Sequence, residues 1–297
     1  MATESLEARR DSVRRAYATD EKLEVRRRTH DQYTVPRIDF AQWVLDCTAW
    51  RGDERVLDLG AGTGGYFAPV QARIPAGQLV AGDLSPGMIR RQQAEIASRG
   101  VLLVNLDAQA LPFPAASFDV VLANHVLYHV ADPDAALREI RRVLKPEGQL
   151  LAATNSTHNM PELDTLCRRA LLLLTDFTSD AGVLAGAPDN FSLESGQRLL
   201  SRYFYAVARY DLPSMLVFPE PEPVLAYLES MRDLQEPLLP EGIAWDDFMG
   251  VMREQVTRLI AHTGKMTVHK LSGALVATQE GGFISEYMHL LRARNPA

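Results

Sequence analysis

The sequence has few cysteines, a small share of aromatic residues and no long apolar run. Cys47 and Cys167 are the two cysteines among 297 residues, too few for a zinc site or a disulfide framework. This scarcity predicts a reducing, cytoplasmic location. The longest apolar stretches, such as 170–174, fall far short of the ~20 residues that a bilayer span needs. The N-terminus alternates acids with arginines and shows no apolar signal segment. We therefore expect no membrane partner and no bound metal.

An excess of positive charge is also lacking. The chain has 31 Lys and Arg against 38 Asp and Glu, which gives a net charge of -7. The one dense basic run, 26–28, and the arginines before it are interleaved with acidic residues, which is typical of a solvated helix face. Proteins that bind nucleic acids usually concentrate Lys and Arg on one face. We therefore expect no nucleic-acid partner.

Apolar runs alternate with helical stripes through the first half of the chain. The pattern predicts strands at 55–59, 78–83, 101–106, 118–123 and 149–154. Strands that alternate with helices form right-handed crossovers and a mostly parallel sheet. Such a sheet binds ligands beyond the carboxyl ends of its strands. The fold class is therefore predicted as α/β, with a doubly wound, mostly parallel, Rossmann-like sheet.

A glycine cluster follows the first predicted strand. Gly60, Gly62 and Gly65 satisfy G-x-G-x-x-G, a weak signal that fits a dinucleotide site as well as a methyltransferase. Asp58 precedes the turn, where its carboxylate would repel a pyrophosphate and attract an ammonium group. Asp83 and Asp107 end the second and third predicted strands. Three carboxylates at successive strand ends favour S-adenosylmethionine, which carries an α-ammonium, a sulfonium and no phosphate.

Five segments then resemble one family. They begin with Val56-Leu-Asp-Leu-Gly-Ala-Gly-Thr-Gly64 and Gly82-Asp-Leu-Ser-Pro-Gly-Met-Ile89, and continue with Asp107-Ala-Gln-Ala-Leu-Pro-Phe-Pro114, Asn124-His-Val-Leu-Tyr-His-Val130 and Leu144-Lys-Pro-Glu-Gly148. The series resembles class I S-adenosylmethionine-dependent methyltransferases, in particular their small-molecule, ubiquinone-biosynthesis-like subgroup. It covers about residues 53 to 155, roughly a third of the chain.

The resemblance implies roles for individual residues. Asp58 and the Gly60-Ala61-Gly62 turn would hold the methionine part of S-adenosylmethionine. Asp83 would bind the ribose hydroxyls, and Leu84 and Met88 would lie against the adenine. The remaining cofactor contacts would come from Asp107 and Ala108 at the adenine edge, and from Asn124 and His125 at the methionine end.

Candidates for a catalytic base are less clearly marked. His125 and His129 follow the fourth strand, where the acceptor should bind, and histidine suits proton removal near neutral pH. Relatives often carry a His-His pair that Tyr128-His129 replaces here. Tyr33 precedes the first core helix, in a segment that covers the cofactor in this subgroup. A packing or hydrogen-bonding role remains the alternative for all three.

The resemblance and the pattern together predict four segments in a seven-stranded methyltransferase fold. These are an N-terminal helical cap at 1–38, a cofactor-binding core at 39–212, a helical insertion at 213–265 that would cover the substrate, and C-terminal strands at 266–297. The predicted function is methyl transfer from S-adenosylmethionine, with S-adenosylhomocysteine as product, to oxygen, nitrogen or carbon of a small-molecule acceptor such as an aromatic natural product. A nicotinamide-dependent oxidoreductase, a methyltransferase of macromolecules and a non-catalytic cofactor-binding protein remain alternatives.

Overall fold

A computed structural model describes residues 21–96, 100–175 and 190–280. The predicted N-terminal helical cap at 1–38 therefore falls partly outside the described residues, as do the last 17 positions of the predicted C-terminal strands. The chain divides into two compact units. We call Asp39–Ser156, Pro188–Asp211 and Gly273–Ala297 the core unit, and Met1–Ile38, Thr157–Ala187 and Leu212–Ser272 the helical unit.

The core unit is a mostly parallel α/β layer structure, as predicted. Its elements are α2 (Phe40–Leu45), β2 (Arg55–Leu59), α3 (Phe67–Arg73), β3 (Gln78–Asp83), α4 (Pro86–Ile96), β4 (Leu102–Asn105), β5 (Phe118–Leu122), α5 (Pro133–Val143), β6 (Leu144–Asn155) and α7 (Leu193–Leu200). Parallel pairing runs in the order β6-β5-β2-β3-β4. The carboxyl ends of these five strands therefore lie at one edge of the sheet.

Local sequence explains where the core helices begin and end. The Asp132 side chain caps α5 by accepting the Ala135 N–H at 2.9 Å, and Pro133 takes the first helical position. An apolar stripe in the sequence predicts a helix over 38–50. The observed helix, α2, is shorter and ends at Leu45. There the Trp50 indole N–H donates to the Leu45 carbonyl at 2.8 Å and satisfies a carbonyl that the helix leaves free.

The helical unit surrounds a short sheet. Its elements are α1 (Glu21–Tyr33), β1 (Thr34–Val35), α6 (Pro161–Leu174), α8 (Pro221–Glu229), α9 (Arg232–Gln235) and α10 (Trp245–Thr263). Strands β7 (Ala206–Phe218) and β8 (Met266–Thr278) each continue from one unit into the other. Within the helical unit β1 pairs antiparallel with β7, and Thr34 lies opposite Leu216. Among the described residues, the sheet that begins with β1 and runs through β7, β8 and β6 to β4 has eight strands, one more than predicted.

The composition of the helical unit differs from the predicted boundaries. Helix α6 and the first half of β8 belong to it, whereas the prediction assigned them to the core and to the C-terminal strands. Both contribute to one apolar core, in which Cys167, Leu171, Phe248, Met252 and Val268 are buried. No helix in the described ranges is long and apolar enough to cross a membrane.

Candidate active site

A glycine turn connects β2 to α3 at the carboxyl edge of the core sheet. Gly60 has φ +67°, and a Cβ placed on it would lie 2.4 Å from Cγ2 of Val126, so that only glycine fits without displacing a neighbour. The Gly60 and Ala61 N–H groups both donate to the Gly82 carbonyl, at 2.8 and 3.1 Å. These bonds hold the turn against the end of β3 and leave room for a ligand to approach the backbone.

Asp58 is buried at the end of β2 with 2% of its surface exposed. Among the described residues nothing hydrogen-bonds to its Oδ2. Burial, with a smaller contribution from the nearby Asp83, raises the pKa of Asp58 to about 8. A buried carboxylate without a partner is costly, so it either stays protonated or is paired with a cation. Asp58 therefore suits a cationic ligand such as an α-ammonium group.

Two buried donors accompany this acceptor; the sequence analysis named one of them, Asn124, and missed the other, Tyr66. The Tyr66 hydroxyl and the Asn124 side-chain NH₂ are both buried and have no partner among the described residues. Burial, followed by the charges of Asp58, Asp39 and Cys47, raises the pKa of Tyr66. Its hydroxyl thus stays protonated in the electrostatic field of Asp58 and can donate a hydrogen bond.

Asn124 lies beside the glycine turn through strand register. Leu122 of β5 pairs with Asp58 of β2, so the chain positions two residues later run alongside one another. The Asn124 Oδ1 accepts the Ala153 N–H at 3.2 Å, which points its NH₂ group away from that strand. One acceptor and two donors match the ammonium and carboxylate of an amino-acid moiety. The residues present therefore fit the methionine part of S-adenosylmethionine.

Asp83 ends β3, the strand next to β2. Its Oδ2 accepts the Gly62 N–H at 2.9 Å and its Oδ1 accepts the Ser85 N–H at 2.8 Å. Burial raises the pKa of Asp83, and these two N–H groups oppose the effect. Each carboxylate oxygen retains a lone pair that can accept a hydroxyl. Leu84 and Met88 follow, half-buried and buried respectively, in the positions that the resemblance assigned to the adenine.

Asp107 lies two residues beyond Asn105 of β4, the neighbour of Asp83 in the sheet. Its Oδ1 accepts both the backbone N–H of Gln109 at 3.0 Å and the Gln109 side-chain amide at 2.9 Å. Ala108 beside it is half-buried. The three aspartates thus follow three adjacent strands, β2, β3 and β4, at one edge of the sheet.

The three candidate bases do not share one unit. His125 has φ +54°, and its ring lies 5.5 Å from that of Phe40. His129 ends a short 3-10 helix, Leu127–His129, with its ring 4.4 Å from Tyr128. Both belong to the core unit. Tyr33 ends α1 in the helical unit, where its ring packs 5.0 Å from Phe218. Three or more metal-ligating side chains do not cluster anywhere in the described ranges.

Comparison with known proteins agrees with this geometry. Residues 57–152 match the methyltransferase domain family. The ubiquinone/menaquinone biosynthesis C-methyltransferase of Pasteurella multocida is 36% identical over 134 residues, which are 43% of this chain and 49% of that protein. The chain thus spans about half the length of the curated relatives that it matches.

Solved structures share the fold at low sequence identity. A phosphoethanolamine N-methyltransferase of Haemonchus contortus, solved with S-adenosylhomocysteine, has a TM-score of 0.55 and 18% identity, and covers 92% of this chain and 60% of its own. A proposed methyltransferase of Bacillus halodurans has a TM-score of 0.52 and 19% identity, and covers 82% of this chain and 99% of its own. The predicted methyltransferase fold is confirmed. The family match at residues 57–152, about a third of the chain, supports S-adenosylmethionine as the methyl donor.

Proposed function

We propose that the protein transfers a methyl group from S-adenosylmethionine to a small-molecule acceptor. The observation that carries the proposal is a set of three buried polar atoms near the glycine turn that have no partner among the described residues: Asp58 Oδ2, the Tyr66 hydroxyl and the Asn124 NH₂. A pyrophosphate at this turn would meet the carboxyl group of Asp58, whereas an α-ammonium would pair with it. This distinction favours S-adenosylmethionine over a nicotinamide dinucleotide.

The chain's own residues would bind and orient the cofactor. Asp58 would accept hydrogen bonds from the ammonium group, while Tyr66 and Asn124 would donate to the carboxylate. Asp83 would accept from the ribose hydroxyls, and Asp107 with Ala108 would contact the adenine. When bound, S-adenosylmethionine supplies an activated methyl group, so the protein contributes mainly alignment and exclusion of water.

A proton must leave the acceptor when its nucleophilic atom is protonated. His125 and His129 come from one segment after β5 and are the candidates for this step in the core unit. Tyr33 is the candidate in the helical unit. The name of the Pasteurella relative, a C-methyltransferase of ubiquinone and menaquinone biosynthesis, supports a small organic acceptor. The net charge of -7 supports a small molecule over a nucleic acid.

The location that we propose is the cytoplasm. Cys47 and Cys167 are free thiols, as a reducing compartment would keep them.

Calorimetric titration tests the proposal directly. S-adenosylhomocysteine should bind saturably to the full-length protein, and NADH should give no saturable fluorescence enhancement. A protein that ignores S-adenosylhomocysteine up to millimolar concentration would disprove the proposal. Saturable NADH binding in its place would favour the oxidoreductase alternative.

A further inference from the structure

Lys270 occupies an unusual position in strand β8. Met266 and Val268, the residues two and four positions before it, are buried in the apolar core of the helical unit. Side chains alternate along a strand, so Lys270 continues the same inward row. Its side chain is half-buried, and burial lowers the pKa of Lys270 to about 8. The strand thus carries a cationic side chain in line with core residues.

The positive charge of the Lys270 amine is not balanced by a nearby carboxylate among the described residues. Nζ donates to the Thr34 hydroxyl at 3.4 Å, and no carboxylate of the described residues lies within 4.0 Å of it. Lys22 and Lys145, in contrast, pair with Asp233 and Asp119 at 2.6 and 2.7 Å. An ammonium group has three N–H donors, so Lys270 retains donors for a further acceptor.

The surroundings of this amine are apolar on one side. Thr34 lies opposite Leu216 in the β1–β7 pairing, and Leu216 is fully buried. Tyr33, the residue before Thr34, packs its ring 5.0 Å from Phe218. A ligand at Lys270 would therefore combine an anionic oxygen for the amine with an apolar body for these side chains.

We propose that Lys270 and Thr34 bind the anionic oxygen of a small organic ligand, which is a phenol, an enol or a carboxylic acid on an apolar skeleton. The ammonium group donates to that oxygen, and the Thr34 hydroxyl both orients the amine and offers a second hydrogen bond. The binding site rests on residues of the helical unit alone.

Three matched naphthalene compounds test the site in the full-length protein saturated with S-adenosylhomocysteine. Naphthoate supplies a carboxylate, naphthol a phenolic oxygen, and naphthylmethanol a neutral hydroxyl on the same ring. Naphthoate is ionised near pH 7, whereas naphthol and naphthylmethanol are both neutral. We expect naphthoate to bind about tenfold more tightly than the two neutral compounds, the range of a charge-assisted hydrogen bond. Naphthol that binds as tightly as naphthoate would indicate a phenolic ligand that ionises in the site.

Substitutions test whether Lys270 causes the preference for the charged compound. Lys270→Met should remove this preference, and Lys270→Arg, which keeps the charge, should retain most of it. Lys265→Met removes an exposed charge five residues earlier and should change nothing. If Lys270→Met does not fold, Thr34→Val takes its place and should lower the preference for the anion several-fold. Equal affinity for all three compounds in the native protein, a preference that survives Lys270→Met, or a Thr34→Val variant that keeps the full native preference overturns the proposal.

Titration of S-adenosylhomocysteine separates this inference from the proposed function. Lys270→Met should bind S-adenosylhomocysteine as the native protein does, because Asp58, Tyr66 and Asn124 are unchanged. A native protein without affinity for S-adenosylhomocysteine refutes the methyltransferase proposal, whatever the naphthalene compounds do. Normal S-adenosylhomocysteine binding without an anion preference refutes only the role of Lys270.

Discussion

In the described part of the core unit, three buried polar atoms without partners lie near one glycine turn, whereas the largest buried side chains of the helical unit are apolar. Asp58, Tyr66 and Asn124 supply the polar set. Trp245, Phe248 and Met252 represent the apolar one. A ligand that stays the same can be bound by fixed polar groups in a short motif. Apolar packing, in contrast, can be achieved by many sequences of similar side-chain volume. The contrast explains why the first unit carries motifs and the second does not.

The largest effect is expected in the helical unit. Met252→Ala removes a fully buried side chain from the core around α6 and α10, which should lower the free energy of unfolding by about 2–5 kcal/mol. The affinity for S-adenosylhomocysteine should stay unchanged below the unfolding temperature. Met249→Ala, at a half-buried position of the same helix, should cost less. Denaturant unfolding measures the stability, and calorimetry measures the affinity for S-adenosylhomocysteine. A loss of affinity in parallel with the loss of stability would show that the two units do not differ in this way.

Gly60→Ala reverses this pattern in the core unit. The new Cβ would clash with Val126, and the positive φ adds strain of about 1–3 kcal/mol. This strain lowers the stability of the folded protein. Displacement of the turn by the clash should also lower the affinity for S-adenosylhomocysteine about tenfold, which corresponds to about 1.4 kcal/mol. Gly65→Ala is the control, since its Cβ would meet nothing within 4 Å. Similar titration curves for the two variants would mean that the turn does not form the site.

Asp58→Asn should separate stability from affinity. Loss of the charged partner should weaken S-adenosylhomocysteine by about 1.5–3 kcal/mol. The folded protein holds the Asp58 proton up to about pH 8, against 3.8 for the ordinary carboxyl. The native protein therefore binds more protons than the unfolded chain between these values and loses stability as pH rises through them. Asp58→Asn should lack this loss. Thermal melts from pH 5 to pH 9 measure it, and Asp53→Asn, at an exposed carboxylate, should melt like the native protein.

The same carboxyl group predicts a proton released on binding. An ammonium group favours ionised Asp58, so S-adenosylhomocysteine should displace the proton at pH 7. Calorimetry in phosphate and in Tris, whose ionisation enthalpies differ, measures the release. The heat of binding should depend on the buffer for the native protein and much less for Asp58→Asn. Identical heats in both buffers for the native protein would indicate that Asp58 does not meet the ammonium group.

The smallest effect concerns a buried ring with a polar end. The Trp245 indole N–H donates to Glu229 Oε2 at 2.8 Å. Glu229→Ala removes this acceptor and keeps the ring in place, so it should cost about 1 kcal/mol of stability, the scale of one lost hydrogen bond, and leave cofactor affinity unchanged. Glu229→Gln keeps an acceptor oxygen and should melt close to the native protein. Equal losses of stability in Glu229→Ala and Glu229→Gln would mean that the hydrogen bond does not determine the effect.

Local chemistry made much of the core unit predictable. The predicted strands match β2, β3 and β5 within about one residue, because apolar runs there end at glycine, aspartate or asparagine. The roles proposed for Asp58 and Asp83 rest on their positions beside the glycine turn and on the resemblance to methyltransferases. Tyr66 could not be recognised in this way, since only the packing of its hydroxyl near Asp58 and Asp39 gives it significance.

Tertiary placement limited the prediction of the helical unit. Strand β7 continues to Phe218, six residues past position 212, the predicted end of the cofactor-binding core. It does so because Leu216 and Phe218 join an apolar core built from distant segments. Lys270 looks like an ordinary surface lysine in the sequence. Its burial depends on β1, more than 230 positions earlier in the chain.

The helical unit consists of three stretches of chain, 1–38, 157–187 and 212–272, interrupted by strands and helices of its neighbour. Genetic exchange of this unit between homologues would need several coordinated crossovers, with joints inside β7 and β8. Wholesale replacement of the unit would disrupt both strands. Diversification should therefore proceed by single substitutions, which leave the shared strands intact.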